Sequence, residues 1–234
     1  MSADDLTASL LANGPFARDG APFRLVEVAG PEAGDFLQRL CTQDVLALAA
    51  GRVAPAAFLN GKGKLLVTCL VFRLGGSFWL EVQQPQAAPL LELLERYHFT
   101  EKLTFAARDL GSCRETIEAR PPAAAGGEAS RAGDVPVVAF TRRGVGFVRS
   151  YGGVVARAPD RGDARPEHVA GAALPDDLAE CLRMCAGLVR VGVETEANTL
   201  ALEADLDDHC STTKGCYTGQ EIVARIHTYG HVNR

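Results

Sequence analysis

Two short glycine-bearing stretches, Asn60-Gly61-Lys62-Gly63 and Gly75-Gly76, constrain this chain more than any other feature. They separate three runs with strand-like patterning, at residues 54–59, 65–74 and 78–82. Asn-Gly and Gly-Gly pairs in such places are hairpin signals, because these residues tolerate the positive φ of a tight turn. The glycine-lysine loop lacks P-loop spacing and no helix follows it, so the hairpin displaces a phosphate-binding reading. Residues 85–97 then predict a helix with Leu90, Leu91, Leu94 and Tyr97 inward, and 103–107 a further strand. Three strands, a helix and a strand make a compact α+β unit.

Upstream, residues 23–29 alternate like a half-buried strand. Gly30-Pro31-Glu32 opens a helix that places Phe36, Leu37 and Leu40 on one face. Thr42-Gln43-Asp44-Val45 follows it, with Asp44 read as a turn or cap residue. Residues 120–135 are rich in Pro, Ala, Gly and Ser without periodicity and read as a loop. Short strands are expected at 137–140, 146–148 and 154–156, then a loose segment at 159–174 that carries His168. Pro175 starts a helix through Leu178, Leu182 and Leu188. Cys181 and Cys185 share one face of it; that face reads as apolar, which favours packing over a metal or redox pair.

A net charge of −5 argues against nonspecific binding to nucleic acid or to anionic membranes, both of which want a basic surface. The longest apolar run, 65–72, is too short to span a bilayer, and the N-terminal residues show no signal or transit pattern. The expected location is the cytoplasm. Seven cysteines without framework spacing imply reduced thiols, most of them small buried hydrophobes. Acidic residues between 194 and 208 read as a solvated loop. His209, Cys210, Cys216, His227 and His231 match no standard zinc spacing, so no metal is expected.

The chemistry concentrates in Lys214-Gly215-Cys216-Tyr217-Thr218-Gly219-Gln220-Glu221. Thr218 and Glu221 are spaced as a capping box; Ile222, Val223, Ile226 and Tyr229 recur at helical spacing, and Gly230 is placed as a stop. Cys216 then lies just ahead of a helix N-terminus, where free amides and the neighbouring Lys214 favour thiolate over thiol. Cys216 and Lys214 are the candidate catalytic residues.

Together with Val223-Ala224-Arg225 and Gly230, this stretch resembles the signature of the YgfZ family. These are folate-binding accessory proteins of iron–sulfur metabolism, related to the aminomethyltransferase (T-protein) of the glycine cleavage system. The stretch from Phe36 to Val45 is similar to the family's F-L-x-x-x-x-T-x-D-V, and Phe58 to Lys64 to its glycine-bearing hairpin. The resemblance implies an α+β fold of the T-protein type, with antiparallel sheets, packed helices and two subdomains. Residues 1–50 and 111–234 would form one discontinuous domain, and 51–110 an inserted ferredoxin-like α+β domain. It implies tetrahydrofolate as cofactor, held by Asn60, Gly215, Tyr217, Gly219, Gln220, Glu221 and Arg225. The expected partners are folate and, transiently, iron–sulfur proteins or assembly factors, with no direct nucleic-acid or membrane contact.

The implied function is support of iron–sulfur cluster assembly or repair through Cys216; the alternative is a tetrahydrofolate-dependent aminomethyl or methyl transferase. Two departures weigh against the transferase. Val67 and Thr68 occupy positions where the enzyme keeps carboxylates, one of them catalytic, and Cys185 that of its pterin-recognising glutamate. A thiol is a weak partner for the aminopyrimidine edge a carboxylate would hold. The chain also ends at Arg234, where relatives continue into a C-terminal barrel, a domain expected to be absent.

Overall fold

The structure, a computed structural model, describes residues 7, 11–119, 126–132, 135–152 and 171–230, with only the backbone of Tyr229. The expected strand at 154–156, His168 and His231 lie outside the described residues. The chain falls into two compact units: Met1–Pro22, Gly51–Val53 and Asp109–Leu188 form one, and Phe23–Ala50, Ala54–Arg108 and Val189–Arg234 the other.

The second unit carries the motif. Its sheet runs β3 (Arg52–Leu59, entered at residue 54), β4 (Leu65–Leu74), β5 (Ser77–Gln83), β2 (Phe23–Ala29), β6 (Thr104–Arg108). Both predicted hairpins form. In the first, the Asn60 amide donates to the Lys64 carbonyl at 3.0 Å and the Gly63 amide to the Asn60 carbonyl at 2.9 Å. Helix α1 (Ala33–Leu40) buries Ala33, Phe36, Leu37 and Leu40, one stripe at helical spacing, with Asp35 and Arg39 complementing its dipole. Helix α2 (Ala87–Tyr97) buries Leu90, Leu93 and Leu94, while Leu91 and Tyr97 pack at the margin of the core. Strand β3 shows why a separate layer is needed on the far side of the sheet. Its Ala56 and Phe58 join the core with α1 and α2, whereas Ala57 and Leu59 pack with Leu202, Leu206, Tyr217 and Val223. Alternation sends successive side chains to opposite faces, so the returning segment 201–223 is what buries the second face.

The expected insertion of 51–110 alone is therefore corrected. Strand β2 is hydrogen-bonded between β5 and β6, from Phe23↔Gln83 through Ala29↔Thr104, and the 189–234 segment completes the same unit. Sequence order suggested a clean insertion, but a central strand belongs with the strands it pairs.

In the first unit the order is β11 (Ala172–Ala173), β1 (Phe16–Asp19), β7 (Arg114–Ala119), β10 (Val145–Ser150), β9 (Val135–Arg142), β8 (Gly126–Ala132). Strand β8 falls within the stretch expected to be a loop. It pairs with β9 from Gly126↔Thr141 to Ala132↔Val135, and its small residues let it pack closely: a side chain on Gly127 would lie 2.7 Å from the Val53 Cβ. Backbone pairing, not apolar patterning, makes this strand. Helix α3 (Asp176–Cys185) ends near the left-handed Gly187.

Candidate functional site

Three segments of the second unit meet around the motif: the turn after α1, the β3–β4 hairpin, and the stretch from His209 to the start of α4 (Gln220–Tyr229). Thr42 is fully buried and uses every polar atom. Its amide donates to the Ala57 carbonyl (2.9 Å), and its hydroxyl accepts from the Ala57 amide (2.9 Å) and donates to the His209 carbonyl (2.5 Å). Its own carbonyl accepts from the Ser211 amide at 2.9 Å. Asp44 is the turn residue expected, accepting from Gln38 Nε2 (3.0 Å) and the Ala47 amide (3.2 Å). Gln38 Oε1 accepts from the Val45 amide at 2.9 Å.

Lys214 is buried against this turn. Its ammonium donates to three backbone carbonyls, those of Gln38 (2.7 Å), Cys41 (2.8 Å) and Gln43 (2.8 Å). An ammonium has three protons and no acceptor, so the three carbonyls satisfy it. Gln38 and Cys41 lie at the end of α1, where carbonyls lack helical partners and the dipole is negative. Lys214 thus caps a helix more than 170 residues earlier in the chain. The Tyr217 ring lies 5.0 Å from the same ammonium. Burial pulls the Lys214 pKa below its usual range, and nearby Cys41 and Asp44 oppose that pull. The expectation that Lys214 serves Cys216 is corrected to this extent: its protons are committed to the turn.

The capping box does not form. Gly219 is the N-cap, left-handed at φ +83°, with no side-chain cap, and the Thr218 amide donates to the Arg39 carbonyl at 3.1 Å. Close approach explains the shift. A Cβ on Gly219 would stand 2.7 Å from the Asn60 carbonyl and 3.1 Å from the Gly63 Cα, and one on left-handed Gly63 only 2.6 Å from the Ile222 Cβ. The glycines let α4 start directly on the hairpin. Glu221 instead pairs with Arg225 at 3.1 Å, on an exposed face.

Cys216 is exposed on the turn ahead of Gly219, beside exposed Gly215. The other thiols of this unit differ: Cys41, Cys69 and Cys210 are buried, and burial raises all three, Cys210 to about 11. Protonated and enclosed, they are packing residues, as the composition suggested. Tyr217 is buried with no hydrogen-bond partner for its hydroxyl among the described residues, and burial raises it too. Among the described residues no three His, Cys, Asp or Glu side chains are grouped to hold a metal. Sequence reading gave Gln38 and Thr42 no role of their own; their signal was their place in the Phe36–Val45 stretch that resembles the family.

Residues 16–118 match the family described as the GCVT N-terminal domain. The chain is 28% identical over 212 residues to the tRNA-modifying protein YgfZ of Klebsiella pneumoniae, covering 86% of this chain and 64% of that protein. It is 26% identical over 227 residues to a mitochondrial iron–sulfur cluster assembly factor IBA57 homologue of Neurospora crassa, covering 90% of this chain and 50% of that one. The chain thus spans about half to two thirds of the length of these relatives. The aminomethyltransferase T of the glycine cleavage system from Bartonella henselae superposes with a TM-score of 0.63 at 15% identity, over 95% of this chain and 66% of that one. The resemblance to the YgfZ family and the T-protein is borne out, and so is the α+β T-protein fold. Among the described residues, no helix is long and apolar enough to cross a membrane.

Several of the residues expected to hold folate have partners within the motif itself. Asn60 Oδ1 accepts from the Lys62 amide (2.9 Å) and the Lys64 amide (3.1 Å) of its own hairpin. Gly219 is wedged on that hairpin, Tyr217 is enclosed, and Glu221 and Arg225 face outward as a pair. Gly215 is exposed and Gln220 half-buried.

Proposed function

We propose that this chain supports iron–sulfur cluster assembly or repair, with the Cys216 thiol as its working group. The observation that carries the reading is the contrast between an exposed cysteine and the closed architecture beneath it. Lys214, Thr42 and two glycines fix the turn, and Cys216 projects from it. A group presented this way suits contact with another protein. One thiolate supplies one of the four ligands a common cluster takes, so the remaining ligands would come from a client or an assembly factor. The name of one relative, an iron–sulfur cluster assembly factor, agrees with this; the other is named a tRNA-modifying protein. Seven free cysteines suit a reducing compartment such as the cytoplasm. Tetrahydrofolate enters from the resemblance alone. The transferase alternative is less favoured, because Val67 is buried in β4 and neither it nor Thr68 is a carboxylate.

Complementation tests the reading. In a strain that lacks its own protein of this type, the wild-type chain should restore iron–sulfur enzyme activity, and Cys216→Ser should restore less than about a tenth of it. Full rescue by Cys216→Ser would sink the proposal. Calorimetric titration with tetrahydrofolate separates the folate question, since absence of heat removes the ligand and leaves the thiol reading intact.

A further inference from the structure

Helix α3 presents a second sulfur-bearing surface, independent of Cys216. Its buried residues, Ala179 and Leu182, set the inward direction. Cys181 and Met184 point away from them, Cys181 exposed and Met184 53% exposed, while Cys185, three residues after Leu182, lies half-buried at the flank of the buried face. The face the sequence suggested to be apolar packing therefore exposes Cys181 and only half-buries Cys185.

We infer that Cys181, Met184 and Cys185 form a binding site for monovalent copper. Met184 and Cys185 stand at i+3 and i+4 from Cys181, which sets each of their Cβ atoms about 5–6 Å from that of Cys181 and places Cys181 between the two consecutive residues. With metal–sulfur bonds of about 2.3 Å, three sulfurs around one ion stand about 4 Å from one another, a distance the side chains span by turning inward. The donor set selects the metal. Two thiolates and a thioether are soft ligands that suit Cu(I). Zinc takes four ligands from Cys, His and carboxylates, and no three His, Cys, Asp or Glu side chains are grouped to start such a set among the described residues. Binding needs no electron transfer. The ion enters as Cu(I), two S–H bonds give way to two Cu–S bonds, the two protons go to solvent, and the Met184 sulfur donates a lone pair.

The platform is firm. Arg183 Nε donates to Glu180 Oε2 at 3.0 Å and its Nη2 to Glu180 Oε1 at 2.6 Å, while Nη1 reaches past the helix end to the Leu188 carbonyl. Ligands on a fixed helix lose little freedom on closing around an ion.

The test is anaerobic titration of the full chain with Cu(I) against the chelator bicinchoninate, with X-ray absorption on the loaded protein. One ion per chain and a shell of three sulfurs are expected. Cys181→Ser and Cys185→Ser should each weaken binding at least about 100-fold and Met184→Leu about 10-fold, whereas Cys216→Ser should leave it unchanged. Circular dichroism checks that the variants fold; should Cys185→Ser not fold, the exposed Cys181 and Met184 positions still decide. Retained affinity in Cys181→Ser, loss of binding in Cys216→Ser, or one ion shared between two chains would each overturn the assignment. Because the residues differ, failure here leaves the Cys216 proposal standing, and the reverse.

Discussion

Replacing Lys214 by Met removes the ammonium while keeping much of the side chain's length and apolar bulk. Three carbonyls lose their donor. The bond to Cys41 is buried and those to Gln38 and Gln43 are partly so, which leaves water able to replace two of the three. A hydrogen bond to a charged group contributes about 2 kcal/mol when buried, and the two wetter ones about 1 kcal/mol each. Against that loss of about 4 kcal/mol, the variant no longer desolvates a charge, which returns about 1–2 kcal/mol. The net cost is about 2–3 kcal/mol. With a urea m-value of about 2 kcal/mol/M, the unfolding midpoint should fall by about 1–1.5 M. The molecule supplies its own probe: its one tryptophan, Trp79, is 5% exposed in β5 of the same unit as Lys214. Urea titration followed by Trp79 fluorescence therefore reads the right unit. Lys214→Arg should not rescue the midpoint, since a planar guanidinium cannot point donors at three converging carbonyls. A midpoint shift under about 0.3 M, coupled with loss of Cys216-dependent rescue, would refute the reasoning and return Lys214 to a chemical role.

Two further outcomes follow from the same geometry. Gly219→Ala should cost about 2–4 kcal/mol by the same fluorescence titration, because a left-handed non-glycine and a Cβ 2.7 Å from the Asn60 carbonyl are both penalised; an unchanged midpoint would mean that the hairpin and α4 yield easily. Stability should also fall in alkali. Burial raises the Cys210 thiol from 9.0 to about 11, so the unfolded chain ionises first and up to about 3 kcal/mol is lost as pH climbs from about 9 to 11. Cys41, Cys69 and Tyr217 shift the same way, while Lys214, lowered in the fold, slopes oppositely. Cys210→Ala should flatten the urea midpoint against pH; an equally steep profile would count against the buried thiol as the source.

The elements legible in the sequence are those whose physics is local. Hairpins at 60–63 and 75–76 and the apolar stripe of α1 follow from neighbouring residues, and all form. Strands β1 and β7, with sequences FARD and RETIEA, were not legible, because partners across the sheet hold them and apolar patterning does not. The candidate site divides along the same line. The cysteine motif and the T-x-D-V turn were visible as separate stretches, but nothing in either one says that Lys214 ends on the carbonyls of the other. The capping-box spacing at Thr218 and Glu221 was a true local pattern overruled by a contact with the hairpin. Cys181 and Cys185 were placed on one face correctly, yet periodicity did not tell that face from the buried one.

The cap that Lys214 places on α1 also sets an order in time. During synthesis, Cys41 leaves the ribosome more than 170 residues before its donor. At about 5–20 residues per second that is a wait of roughly 10–35 s. For that interval the carbonyls at the end of α1 have only water, and Ala57 and Leu59 of β3 have no layer over them. The nascent chain thus carries an open sheet face until residues 189–234 arrive, and that face is where a chaperone would be expected to bind.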